Sequence, residues 1–119
     1  MERKELISQL IEKGKELDSE NYVYIKLSIS EPYEERVYNI QSVSKRKYEI
    51  SFKINREIET TISIQYLLNN LESCSADDVL VYEIDKLHSQ GTHSFEITGF
   101  EIIDGNIYLK SILYPEPVL

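Results

Sequence analysis

A single cysteine, Cys74, stands in the 119 residues, so no disulfide within the chain staples the fold, and the lone thiol suits a reducing compartment. Glycine is scarce as well: Gly14, Gly91, Gly99 and Gly105 are isolated, and neither Gly-x-x-x-x-Gly-Lys nor Gly-x-Gly-x-x-Gly occurs. A phosphate-cradling loop, and with it a nucleotide enzyme, is disfavoured. No window approaches the roughly 18 apolar residues of a membrane span. After Met1-Glu2-Arg3-Lys4-Glu5 the apolar residues are interrupted by charge too often for a secretory leader, which predicts a soluble cytoplasmic protein. Basic residues are lacking where the chain is most acidic. Between Thr61 and Leu119 nine acidic side chains face two basic ones, whereas the first sixty residues carry twelve acidic and eleven basic. The net charge of −8 works against direct binding of nucleic acid, whose affinity comes from Lys and Arg on phosphates, and against anionic membrane surfaces.

What is present is ordinary globular material. Apolar residues make up 41% and charged residues 29%, spread along the whole chain, which predicts one domain over 1–119 with one core. Leu6, Ile7, Leu10, Ile11 and Leu17 recur at helical spacing and predict a first helix. Gly14 within it either frays the helix or permits close backbone contact. From Tyr22 to Ser30, Val23, Ile25, Leu27 and Ile29 alternate with Tyr22, Tyr24, Lys26 and Ser28, the pattern of a half-buried strand. Glu31-Pro32 breaks it, Arg36 to Ser44 resumes as a weaker strand, and Ser44-Lys45-Arg46-Lys47 is expected to turn into a third strand from Tyr48 to Ile54.

The second half opens on Ser63 as N-cap, with Ile64, Leu67, Leu68 and Leu71 forming a helical stripe. Val79 to Ile84 and Phe95 to Phe100 are expected strands, Gly99 marks a bulge, and Asp104-Gly105 hinges a hairpin with Ile107 to Leu113. The expected architecture is α+β: two amphipathic helices packed on one face of a largely antiparallel sheet, in the order α-β-β-β-α-β-β-β. The two halves share this grammar, but their identities are too few to favour an internal duplication.

The segment Ile64 to Leu113 carries Leu67-Leu68 and Leu71, then Asp77-Asp78-Val79, Ile97-x-Gly99-x-Glu101 and Asp104-Gly105-Asn106-Ile107-x-Leu109. In these features it resembles a module of small uncharacterised accessory proteins of phages and mobile elements. The resemblance covers fewer than half of the residues. It implies a gene product that acts on host proteins, as inhibitors of host defence such as anti-CRISPR proteins do. It carries over no functional residue, because that grouping shares no active-site motif.

Residue-level chemistry is sparse. Asp85, His88 and His93 fall within nine residues, yet their spacing fits no standard zinc arrangement, and a solvated loop is the simpler account. Cys74 follows the C-terminal end of a helix, where the dipole disfavours a thiolate. No nucleophile elbow is present. The sequence therefore predicts no enzyme, no metal site and no cofactor.

The surface offers three features, of which the first, the basic turn Lys45-Arg46-Lys47, could contact phosphate but is more simply a solvated hairpin tip and does not make a nucleic-acid binder. Tyr22 and Tyr24 fall opposite Val23 and Ile25, and Tyr108 falls opposite Ile107 and Leu109, which suits a partner interface as well as a covered sheet. Asp77, Asp78, Glu83, Asp85, Glu96, Glu101 and Asp104 supply the acidic set, and alternation allows several of these carboxylates to share one side of the sheet. Such a surface attracts a basic groove on another protein. The expectation is a non-enzymatic acidic binding protein, a phage-type inhibitor of a host nucleic-acid-binding protein or defence enzyme that works by nucleic-acid mimicry. An immunity protein that neutralises a cationic toxin nuclease is the alternative. The expected partner is thus a basic protein, with self-association as a homodimer left open.

Overall fold

A computed structural model describes residues 3–30, 33–54, 58–85 and 92–113. Helix α1 spans Arg3–Glu16 and buries Leu6, Ile7 and Leu10. It runs through Gly14 without interruption, and an added Cβ at Gly14 would stand 2.8 Å from Leu68 Cδ2. The glycine therefore serves close packing of α1 on the second helix rather than fraying. That helix, α2 (Ile64–Leu71), begins where the sequence places it: the Ser63 hydroxyl accepts the Tyr66 amide at 3.1 Å, and Ile64, Leu67 and Leu71 are buried.

Seven strands follow the chain as β1 (Val23–Ser30), β2 (Tyr33–Arg46), β3 (Glu49–Ile54), β4 (Val79–Asp85), β5 (Thr92–Glu96), β6 (Gly99–Ile103) and β7 (Asn106–Leu113). They form one sheet in the order β5-β4-β3-β2-β1-β7-β6. The expected helix-covered, largely antiparallel sheet is thereby corrected. The sheet is mixed, with β1/β7 and β3/β4 parallel, and it curls into a half-barrel that dominates the structure. The parallel β3/β4 pair arises because α2 lies on the connection between these strands and returns the chain to the starting end.

A second correction explains the curl. The run Phe95 to Phe100 is not one strand: Ile97 donates its amide to Leu80 O at 2.8 Å and Thr98 donates to Lys110 O at 3.0 Å. One continuous piece of chain thus pairs with β4 through β5 and with β7 through β6, drawing opposite ends of the sheet together. The Ser111 hydroxyl, donating to Glu96 O at 2.7 Å, ties the two ends. Gly99 opens β6 rather than bulging it. The irregularity lies instead in β2, between Ile40 and Ser42. There Thr61 Oγ1 accepts the Ile40 amide at 2.8 Å and donates to Val23 O, so a side chain fills the gap in the ladder.

The concave side of the sheet and the two helices enclose the core. Val23, Ile25 and Leu27 from β1, Ile50, Phe52 and Ile54 from β3, and Ile107 and Leu109 from β7 meet Leu10, Leu67 and Leu71 from the helices. Tyr82 is fully buried, stacked on Phe95 with ring centroids 5.3 Å apart, and burial pushes its phenol up. Period-two alternation then fixes the opposite set of side chains on the outer face.

The β2–β3 turn falls later than expected, at Lys47-Tyr48, with Tyr48 at φ 66°. Lys45 and Arg46 consequently belong to β2, and each reaches back over the fold. Lys45 Nζ donates to Ser73 O at 2.8 Å, and Arg46 Nη1 lies 2.7 Å from Glu83 Oε1.

Candidate functional site

The outer face of β2-β1-β7-β6 gathers more of the expected site residues than any other described surface. In the parallel register Tyr24 stands beside Tyr108, and their rings stack with centroids 5.2 Å apart and 26° between planes. Tyr22 precedes them at the entrance to β1, half exposed. Burial and the two neighbouring phenols push the Tyr24 hydroxyl up. Two asparagines hold the β6–β7 turn against this end of β1: Asn21 Nδ2 donates to Gly105 O at 3.1 Å, and Asn106 Oδ1 accepts the Tyr22 amide at 3.0 Å. The turn needs Gly105 at φ 81° and Asp104 at φ 52°, and it leaves the Asp104 side chain exposed at the rim of the face.

Next to the tyrosines lies a charge network. Lys26 Nζ donates to Glu101 Oε1 at 2.6 Å and sits 3.4 Å from Glu35, while Lys110 Nζ lies 3.7 Å from the other Glu101 oxygen. The Lys26 side chain is only 16% exposed. The hydrogen bond from Lys26, reinforced by Lys110, holds the Glu101 carboxyl below its ordinary range, and the same bond raises Lys26. Two lysines and two glutamates give this part of the face no net charge. Val37, directly across from Lys26 in the register and 51% exposed, completes it.

The sign of these shifts gives a testable pH dependence. Glu101 contributes stability above its unfolded value of about 4.3, lost as pH falls through its depressed folded value; Lys26 contributes below about 10.4, lost as pH rises through its raised one. Thermal unfolding followed against pH should therefore show wild type losing its advantage over Glu101→Gln on the acid limb. Parallel curves for the two proteins from neutral pH to pH 2 would show that the bond contributes nothing.

The remaining expected residues lie elsewhere. Glu83 and Glu96 are on the outer side of β4 and β5, at the other end of the sheet order, and Glu83 is paired with Arg46. Asp77 is exposed in the turn before β4. Asp78, 6% exposed, accepts the Ser75 amide at 3.1 Å and lies 3.7 Å from Lys45 Nζ, so it closes that turn. The Asp85 side chain, His88 and the His93 side chain lie outside the described parts. Among the described residues no group of three or more His, Cys, Asp or Glu is placed to hold a metal ion. The Cys74 thiol donates to Asn70 O at 3.1 Å, and burial pushes it up, away from a reactive thiolate. No described helix is long and apolar enough to cross a membrane.

Sequence reasoning took Arg46 only as part of a basic turn and passed over Lys26, Glu35, Val37 and Lys110 as site residues. Alternation alone puts Lys26 beside Tyr24 and Lys110 beside Tyr108, and that signal was available. The pairing of β1 with β7, which brings the two sets together, was not. No protein-family model, no curated protein and no solved structure matches the chain.

Proposed function

We propose that the chain is a non-enzymatic binding domain that docks a protein partner on the outer face of β2-β1-β7-β6. The observation that carries this reading is the Tyr24–Tyr108 stack beside a lysine held by two carboxylates. A stacked pair on neighbouring strands adds only about 0.2–1 kcal/mol to the sheet, whereas tyrosine also supplies a partner with contact area, few rotatable bonds and a hydroxyl that tolerates water. Stacking and ion pairing also order the side chains before any partner arrives, which lowers the cost of association.

A narrower reading makes the partner a basic nucleic-acid enzyme of a host and the chain its phage-type inhibitor. Its support is the net charge of −8 and the acidic excess after Thr61, which favour encounter with a cationic surface. Mimicry of nucleic acid uses carboxylates free to meet cations, and here Glu83 and Glu101 are already engaged by Arg46, Lys26 and Lys110. Long-range steering is what remains for that reading.

The test compares three immobilised proteins in a pull-down: wild type, Val37→Glu on the face, and Tyr66→Glu on the exposed side of α2. A protein retained by wild type and by Tyr66→Glu but lost from Val37→Glu is expected. Retention lost only with Tyr66→Glu would move the docking surface to the helices. Steep release by salt would favour the inhibitor reading over an aromatic contact.

A further inference from the structure

We propose that a second copy of the chain occupies this face, sheet against sheet, in a two-fold symmetric dimer. The inference rests on the docking reading above and names its occupant. Three described large hydrophobic residues that remain well exposed, Tyr22 at 49%, Val37 at 51% and Ile103 at 40%, lie on this one surface around the half-buried Tyr24 and Tyr108. Alternation puts Ile103 on the same side as Glu101, and Val37 on the same side as Glu35. The patch is thus aromatic and aliphatic at its centre and along two borders.

Charge selects the occupant. A molecule of net charge −8 repels its own copies wherever its acidic surface faces out. With the exposed Asp104 carboxylate standing at the rim, the charges within the strands here are Lys26, Lys110, Glu35 and Glu101, equal in sign count and bonded among themselves at 2.6 to 3.7 Å. Burying them strands no unpaired ion, because each brings its partner with it. This face, balanced in charge apart from Asp104 at its rim, lets two acidic copies meet with less repulsion than the acidic C-terminal surface would, and a two-fold axis can set its lysines against the glutamates of the second copy. A cationic partner, by contrast, gains little attraction from a face whose strand charges are already paired.

The two occupants respond oppositely to salt. Repulsion between two copies of charge −8 is screened as ionic strength rises, so self-association strengthens; attraction to a cationic protein weakens.

Sedimentation of the full chain over a concentration series, at low and at high salt, tests the proposal. Expected are a monomer–dimer equilibrium that shifts toward dimer with salt, and at least about tenfold weaker association in Val37→Glu with no change in Tyr66→Glu. Circular dichroism establishes that Val37→Glu is folded. If it is not, Tyr22→Lys, at the other border of the face, replaces it. A monomer at every concentration and salt overturns the proposal, as does a dimer that dissociates with salt or survives both face variants. A monomeric wild type whose pull-down partner is still lost with Val37→Glu would reject the dimer while leaving the docking face in place. Loss of neither partner nor dimer with Val37→Glu would reject both.

Discussion

Phe52→Ala is expected to lower the free energy of unfolding by about 3–5 kcal/mol. Phe52 is fully buried on β3, opposite Val43 on one side and Tyr82 on the other, within the cluster that also holds Leu67 and Leu71. Truncation removes the transfer free energy of a phenyl ring and leaves a cavity that strands paired on both sides are poorly able to close. A domain of this size holds only about 5–15 kcal/mol in total, so the variant should sit close to its unfolding threshold at physiological temperature. Urea denaturation measures it. The midpoint should fall with little change in slope, since the area exposed on unfolding stays nearly the same. A loss under about 1 kcal/mol would mean that this stretch of the sheet is not packed as described.

The elements that local chemistry dictates were legible before the structure. Ser63 caps α2 because a hydroxyl next to an apolar stripe satisfies a free amide whatever surrounds it. Asp104-Gly105 makes its hairpin because two positive φ angles select those residue types. Alternation in β1 told which side chains face outward, and Tyr24 and Tyr108 do lie on one face. Pairing partners are another matter, since a period-two pattern fixes a face but not a neighbour. Val23 lies beside Ile107 in parallel, and Ile50 beside Leu80, and these two contacts turn an expected antiparallel sheet into a mixed half-barrel. The break at Ile97-Thr98 is marked in the sequence only by the neighbouring Gly99, which signals an irregularity but not that the two flanking pieces bond Leu80 and Lys110 on opposite ends of the sheet. The acidic set shows the same limit. Its members are visible in the sequence, but Lys26, which holds Glu101, stands 75 residues away from it.

Glu83→Lys is expected to cost about 2–3 kcal/mol of stability, whereas Asp77→Lys stays within about 0.5 kcal/mol. The Glu83 side chain is 12% exposed and its carboxylate meets Arg46 at 2.7 Å, over a part of the outer face where Ser51 and Val81 are buried. Reversal sets an ammonium against that guanidinium and directly across from Lys53. Breaking a fully buried pair costs about 3–5 kcal/mol, and the exposure of Arg46 discounts the figure through solvent screening. Arg46 also keeps Glu49 within 3.6 Å, which softens the loss further. Asp77 has an exposed carboxylate in a turn, so its reversal perturbs the field around the molecule and little else. Chemical denaturation of the two variants and of Glu83→Gln separates repulsion from simple loss of the pair, with added salt recovering part of the former. The comparison bears on function, because a charge reversal at Glu83 that abolishes binding reports on folding before it reports on a partner. If Glu83→Lys proves as stable as wild type, the Arg46 bond is not holding the carboxylate, and Glu83 rejoins the free acidic groups available to a cationic protein.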